Sequence, residues 1–172
     1  MKKYLGIAIL LVVMACNNTE TKNTSSAKKA DTNLVQLSFS DEKVSQIYTD
    51  YLSLKNALVA TKYDDSKSAA KALSLSLKGY AGCENTALMA VTIETAKDIA
   101  AQRKAFTSLS SDVIALFKHA SINKGTIYVQ HCPMANNGDG GDWLASEKKI
   151  QNPYYGSEMM ECGSVVTEIK AK

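Results

Sequence analysis

Between residues 41 and 120 the apolar side chains return at helical spacing. Val44, Ile47, Tyr51, Leu54 and Leu58 step by three and four, with Ser40 or Asp41 placed to cap the start. Ala69 or Ala70, Leu73, Leu77 and Tyr80 form a second stripe, entered through Asp64-Asp65 and stopped near Gly79 and Gly82. Leu73, Leu75 and Leu77 also alternate as a strand would, but the alanine and lysine content of the segment favours helix. Ile99, Phe106, Leu109, Val113, Leu116 and Ala120 give a third and stronger stripe. Leu88, Val91 and Ile93 form a further helix or the front of that one. No Gly or Pro stands between Cys83 and Lys124, so a bundle of three or four helices with short connections is predicted. The stripes, with Tyr48, Tyr51 and Tyr63 on the first helix, read as core.

After Gly125 the pattern changes. Six of the nine glycines, both prolines, the only Trp and three of the six methionines lie between Gly125 and Gly163. Ile127 to His131 reads as a strand and Val165 to Ile169 as a second. Asn136 to Asp142 between them reads as a glycine-rich loop that lacks the phosphate-cradling pattern. The predicted fold is mainly α: a helical bundle followed by a small C-terminal extended element of strands and turns. One domain covers 41–172, helical over 41–120 and rich in Cys and Met over 125–172.

The N-terminal pattern is of another kind. Leu5 to Val13 is an unbroken apolar run of nine residues behind Lys2 and Lys3. As helix it rises about 14 Å, roughly half the hydrocarbon core of a bilayer, so it is a secretory h-region rather than a span. Val13-Met14-Ala15-Cys16 resembles the bacterial lipobox, which implies removal of residues 1–15 and a diacylglyceryl thioether on Cys16. The polar residues that follow read as a flexible tether over 16–40. The expected location is the cell envelope, lipid-anchored on the periplasmic side at the outer membrane.

With 172 residues, 45% hydrophobic and 22% charged, the chain suits one domain with a real core and excludes full-length disorder. The net charge is +3, and without Lys2 and Lys3 it falls to +1. There is no basic stripe to displace counterions from phosphates, so no nucleic-acid partner is expected. An enzyme is not expected either, since two histidines are too few for ordinary acid–base machinery and no carboxylate pair stands near one. His119, late in a helix, reads as structural.

The residues that carry chemistry are His131-Cys132-Pro133-Met134 and, some thirty positions later, Met159-Met160-Glu161-Cys162-Gly163. Thiolate and thioether sulfurs are soft donors that together favour Cu(I) over hard cations. An extended first segment would turn Cys132 and Met134 to one face and His131 to the other. In the second, an extended chain would pair Met160 with Cys162 and a helical turn would pair Met159 with Cys162. The same residues also fit plainer roles. Cys132 and Cys162 suit a disulfide in an oxidising compartment, the methionines suit core filling, and Trp143 with Tyr154-Tyr155 suit packing. Cys83 is the odd cysteine left once Cys16 is acylated. Both the metal and the disulfide readings stand on the residues alone.

Several unusual elements recur in a fixed order. They are Tyr51-Leu52-Ser53-Leu54-Lys55-Asn56-Ala57-Leu58, Gln102-Arg103-Lys104-Ala105-Phe106, Cys132-Pro133-Met134-Ala135, Trp143-Leu144, Asn152-Pro153-Tyr154-Tyr155-Gly156, and Met159 with Cys162-Gly163. Through them the stretch from about Ser45 to Ile169 resembles the domain-of-unknown-function 3347 family. Its members are secreted or lipid-anchored bacterial proteins and terminal extensions of the periplasmic adaptors of heavy-metal efflux pumps. The resemblance implies a helical domain associated with heavy-metal, chiefly copper, handling and with no established enzymatic activity. Met159 takes the family's methionine position, and Met160 departs from its pattern. The resulting expectation is a copper-binding lipoprotein that buffers or delivers metal to an efflux-system partner. Cys132, Met134, Met159 and Cys162 would be the ligands, with His131 and Met160 in reserve. The alternative is a non-metal module, tied by a Cys132–Cys162 disulfide, that docks on an efflux or envelope partner.

Overall fold

The computed structural model describes residues 37–171. The expected leader, the acylation site Cys16 and the tether as far as residue 36 lie outside the described residues. Helix α1 (Glu42–Val59) begins at Asp41, whose carboxylate accepts the Lys43 N–H at 2.8 Å. It buries Val44, Ile47, Tyr51, Leu54 and Leu58, the stripe that the spacing predicts. Thr61, at φ 57°, breaks the chain away from α1, so Tyr63 opens α2 (Tyr63–Lys78) instead of lying on the first helix. Leu73 and Leu77 are buried on α2 while Leu75 is 66% exposed, which is helical phasing and not strand alternation. Helix α3 (Glu84–Glu94) is separate from α4 (Ile99–His119), because Asp98 caps a new start by accepting the Ala101 N–H at 2.7 Å.

Strand β1 (Ser38–Phe39) pairs antiparallel with β2 (Ile122–Lys124). The Phe39 ring packs on Tyr48 and Phe117, with centroids 5.5 and 5.6 Å away. Residues 38–39, which the sequence places in the tether, are therefore part of the domain.

The C-terminal part is more than a small extension. Strand β3 (Thr126–Cys132) lies between β4 (Gly141–Ala145) and β5 (Ser164–Lys170) in an antiparallel sheet of three strands. Strand β4 begins inside the segment expected to be loop. Its five residues carry no clean alternation, because Trp143, Leu144 and Ala145 are all buried. Chain reversal through the preceding loop, not a hydrophobic pattern, brings it alongside β3.

One buried relay joins the helices to this sheet. The Leu144 N–H donates to the Tyr51 hydroxyl (3.0 Å), which donates to Ser110 Oγ (2.6 Å), which donates to the Asp142 carbonyl (2.8 Å). Tyr51 lies on α1, Ser110 on α4 and the two backbone groups on β4. Burial raises the Tyr51 pKa far above its ordinary value, so the hydroxyl stays protonated and able to donate. Among the described residues, no helix is long and apolar enough to cross a membrane.

Candidate functional site

Strand β3 ends at Cys132 because Pro133 has no N–H to continue the ladder. The chain then turns through Met134 into a short 3-10 segment, Ala135–Gly138, where Asn136 and Asn137 take left-handed φ of 53° and 61°. Asn136 stabilises the loop by donating to the Gly140 carbonyl (2.8 Å) and accepting from Thr107 of α4 (3.0 Å). The return places Gly141 opposite Cys132. A Cβ at Gly141 would lie 2.5 Å from the Tyr154 ring, so that ring can fill the space only because the position is glycine.

The second segment is built on Asn152, which is fully buried. Its Oδ1 accepts the N–H groups of Tyr154 (2.8 Å) and Tyr155 (3.3 Å), and its Nδ2 donates to the Cys162 carbonyl (3.0 Å). Its own N–H donates to the Met160 carbonyl at 3.0 Å. One side chain thus folds the turn after Asn152 and holds the Met159–Cys162 turn against it. Arg103 of α4 supports the same turn from below, donating to the Pro153 carbonyl at 3.0 Å and to the Leu58 carbonyl at 3.1 Å. The Met159–Cys162 turn closes through the Cys162 N–H on the Met159 carbonyl (3.1 Å), the turn geometry rather than the extended one. At Gly163, with φ 141°, a Cβ would meet the His131 carbonyl at 2.7 Å. Only glycine lets the backbone pass this close to the end of β3.

The outcome is that the Sγ atoms of Cys132 and Cys162 stand 2.9 Å apart as free thiols. Cys132 is fully buried and Cys162 half-buried. The adjacent Cys132 thiol, and then burial, push the Cys162 thiol above its ordinary pKa, while a hydrogen bond from the Met134 backbone works the other way.

The other expected ligands fare differently. Met134 and Cys132 do not share a face, since the chain leaves the extended form at Pro133 and the Met134 side chain is 51% exposed. The Tyr155 hydroxyl secures this turn by donating to the Met134 carbonyl at 2.6 Å. Met159 and Met160 are half-buried in the turn that carries Cys162. Met134, Met159 and Met160 are all absent from the core and its packed fringe, to which Met89 does contribute. His131 points away from the sulfurs, as strand alternation requires, and its Nδ1 lies 2.8 Å from Asp142 Oδ1 across the β3–β4 pair. Trp143 and Tyr154 are buried beside the pair, and the Trp143 indole N–H donates to the buried Gln130 Oε1 at 2.7 Å. Cys83 lies apart, buried at the start of α3.

Asn152 and Gln130 are the positioning residues that a search for metal-binding side chains passes over. The available signal for Asn152 was the Asn-Pro pair, which favours turn initiation. Gln130 had no comparable signal, because it is a polar residue at a strand position with nothing local to show that it faces inward. Among the described residues no group of three His, Cys, Asp or Glu could hold a metal ion.

Four helices followed by a three-stranded antiparallel sheet, with a thiol pair at the sheet's end, define a mainly α domain with a cysteine-bearing C-terminal sheet. Residues 47–125 match the family described as "Protein of unknown function (DUF3347)". The match takes in the helices from within α1 onward and β2, and ends before the cysteine pair. No curated protein and no solved structure matches the chain.

Proposed function

We propose that the chain is a lipid-anchored envelope protein, acylated at Cys16, that binds Cu(I) at Cys132 and Cys162 for buffering or delivery to an efflux-system partner. Met134 and Met159 serve as thioether donors, with Met160 in reserve. The observation that carries this reading is the placement of the methionines. An apolar side chain recruited for packing belongs in the core, yet Met134 is 51% exposed and all three methionines around the thiol pair lie outside the core. Each of the three stands within three residues of Cys132 or Cys162 in the chain, and thioethers together with thiols make a donor set suited to a soft cation. The half-buried Cys162 is the side from which metal enters and leaves, and Cys132 anchors it from below.

The nearness of the two thiols also supports a second reading, the disulfide-tied docking module. Two sulfurs on one tetrahedral ion, with bonds of about 2.3 Å, stand about 3.7 Å apart, whereas a disulfide brings them to about 2.05 Å. The two sulfurs are close enough for a shared metal ion or for a disulfide.

Competition titration with a Cu(I) chelator decides between the two. Cys132→Ser and Cys162→Ser should each lower affinity by orders of magnitude, the double variant should add much less than twice that loss, and Cys83→Ser should leave affinity unchanged. Equal affinity in the parent and the double variant ends the metal reading. A bridge in the parent that copper cannot displace, counted as two missing thiols, supports the disulfide module.

A further inference from the structure

Away from the sulfur pair, the outer face of α2 and α3 carries an apolar groove of about 400 Å³ centred on Leu75, Leu88 and Val91. These side chains are 66%, 65% and 37% exposed, and they form much of the large apolar surface that the described residues leave in water. The charges that line the groove are sorted by helix. Lys71 and Lys78 flank Leu75 on α2, while Glu84 and Glu94 flank Leu88 and Val91 on α3. None of these four charges makes an ion pair among the described residues.

We propose that this groove is a homodimer interface and that its occupant is a second copy of the chain. The argument is charge complementarity under a two-fold axis. Residues 79–83 turn α2 back onto α3, so Lys78 and Glu84 stand at one end of the groove, with Lys71 and Glu94 toward the other. An axis along the groove exchanges its walls and keeps its ends. Each α2 then lies over the partner copy's α3, with Leu75 on Leu88, Lys78 against Glu84 and Lys71 against Glu94. An axis across the groove would instead set lysine wall on lysine wall and glutamate wall on glutamate wall, which like-charge repulsion opposes. The favoured arrangement is isologous and closed, burying both copies' leucines in a four-helix layer.

Sedimentation velocity on the full chain over a range of concentrations tests this. A concentration-dependent monomer–dimer equilibrium is expected. Leu88→Glu should shift it to monomer and melt like the parent diluted until it is monomeric, since this side chain faces solvent in the single chain. Lys78→Glu and Glu84→Lys should each weaken self-association, because each sets like charges together at one end of the groove. An equimolar mixture of the two variants should recover the dimer, because every pairing at that end is again opposite in sign. A parent that stays monomeric throughout overturns the proposal, including the case in which a different protein fills the groove. So does a dimer indifferent to Leu88→Glu, or a mixture of the charge variants that fails to associate.

Discussion

Replacing Asn152 with alanine should destabilise the domain and loosen the cysteine pair together. The side chain is fully buried and makes three hydrogen bonds, to the N–H groups of Tyr154 and Tyr155 and to the Cys162 carbonyl. Alanine leaves the Tyr154 N–H and the Cys162 carbonyl without partners, at about 1–3 kcal/mol for each buried group. The 3.3 Å bond to Tyr155 is long and adds little. A total of about 2–6 kcal/mol follows, a large share of the 5–15 kcal/mol or so that holds a typical domain together. Urea unfolding followed by tyrosine and tryptophan fluorescence measures it as a fall in midpoint at constant slope. The same variant should form the Cys132–Cys162 disulfide more slowly under a mild oxidant, because Nδ2 no longer tethers the Cys162 turn. Asn152→Asp keeps the oxygen that accepts the two N–H groups but places a carboxylate against the Cys162 carbonyl. It should retain the turn after Asn152 while still releasing Cys162. A stability loss under about 0.5 kcal/mol for Asn152→Ala, comparable to an ordinary surface change, would refute the role given to this side chain.

Phe106, fully buried against the Tyr51 and Tyr154 rings, should lose about 3–5 kcal/mol on truncation to alanine, read as a lowered melting transition. Met134→Leu should change stability by less than about 1 kcal/mol, because the side chain is half exposed and the swap conserves volume, yet it should weaken Cu(I) binding. The Cys162 thiol, raised above its ordinary value by Cys132 and by burial, binds its proton more tightly in the folded state than in the unfolded. Its stabilisation is therefore complete below the ordinary thiol pKa and is lost as pH rises through the folded value. Urea midpoints should fall more steeply above about pH 8.5 in the parent than in Cys162→Ser. Cu(I) affinity should move the other way, weakening as pH falls, because the thiolates must lose protons to bind metal. Cys16→Ser should move the protein from the detergent phase to the aqueous phase of a membrane extract, and unchanged partitioning would exclude the lipid anchor.

The helical half was largely legible, because a helix satisfies its hydrogen bonds locally and its buried face must recur every three or four positions. But α3 buries Ala87, Ala90 and Ile93 and turns Leu88 and Val91, read as core, to solvent at 65% and 37% exposure. The Val44-to-Leu58 stripe follows from that rule, while the structure selects Asp41 over Ser40 as the cap and Gly79 over Gly82 as the stop. The four-helix count is clear only once Asp98 is seen to cap a new start, because the apolar pattern runs on from Ile93 to Ile99 with neither Gly nor Pro between them. Strand β4 lacks a sequence signal for a related reason. Where α4 packs on one side and β3 pairs alongside, consecutive residues are buried and the period of two disappears.

At the site, the sequence by itself determined the chemistry on offer: two thiols and three thioethers in two short segments, with His131 turned away by strand alternation. It left open which of these groups would meet. That was decided by the antiparallel register of β3 with β5, by the Gly163 backbone passing over the end of β3, and by Asn152 binding two turns at once. Each is a contact between residues distant in the chain, selected by close packing and by the requirement that buried polar groups find partners. Local periodicity encodes neither. Cys132 and Met134 part company for the same reason: one residue is claimed by the core and the other, past Pro133, by the surface turn.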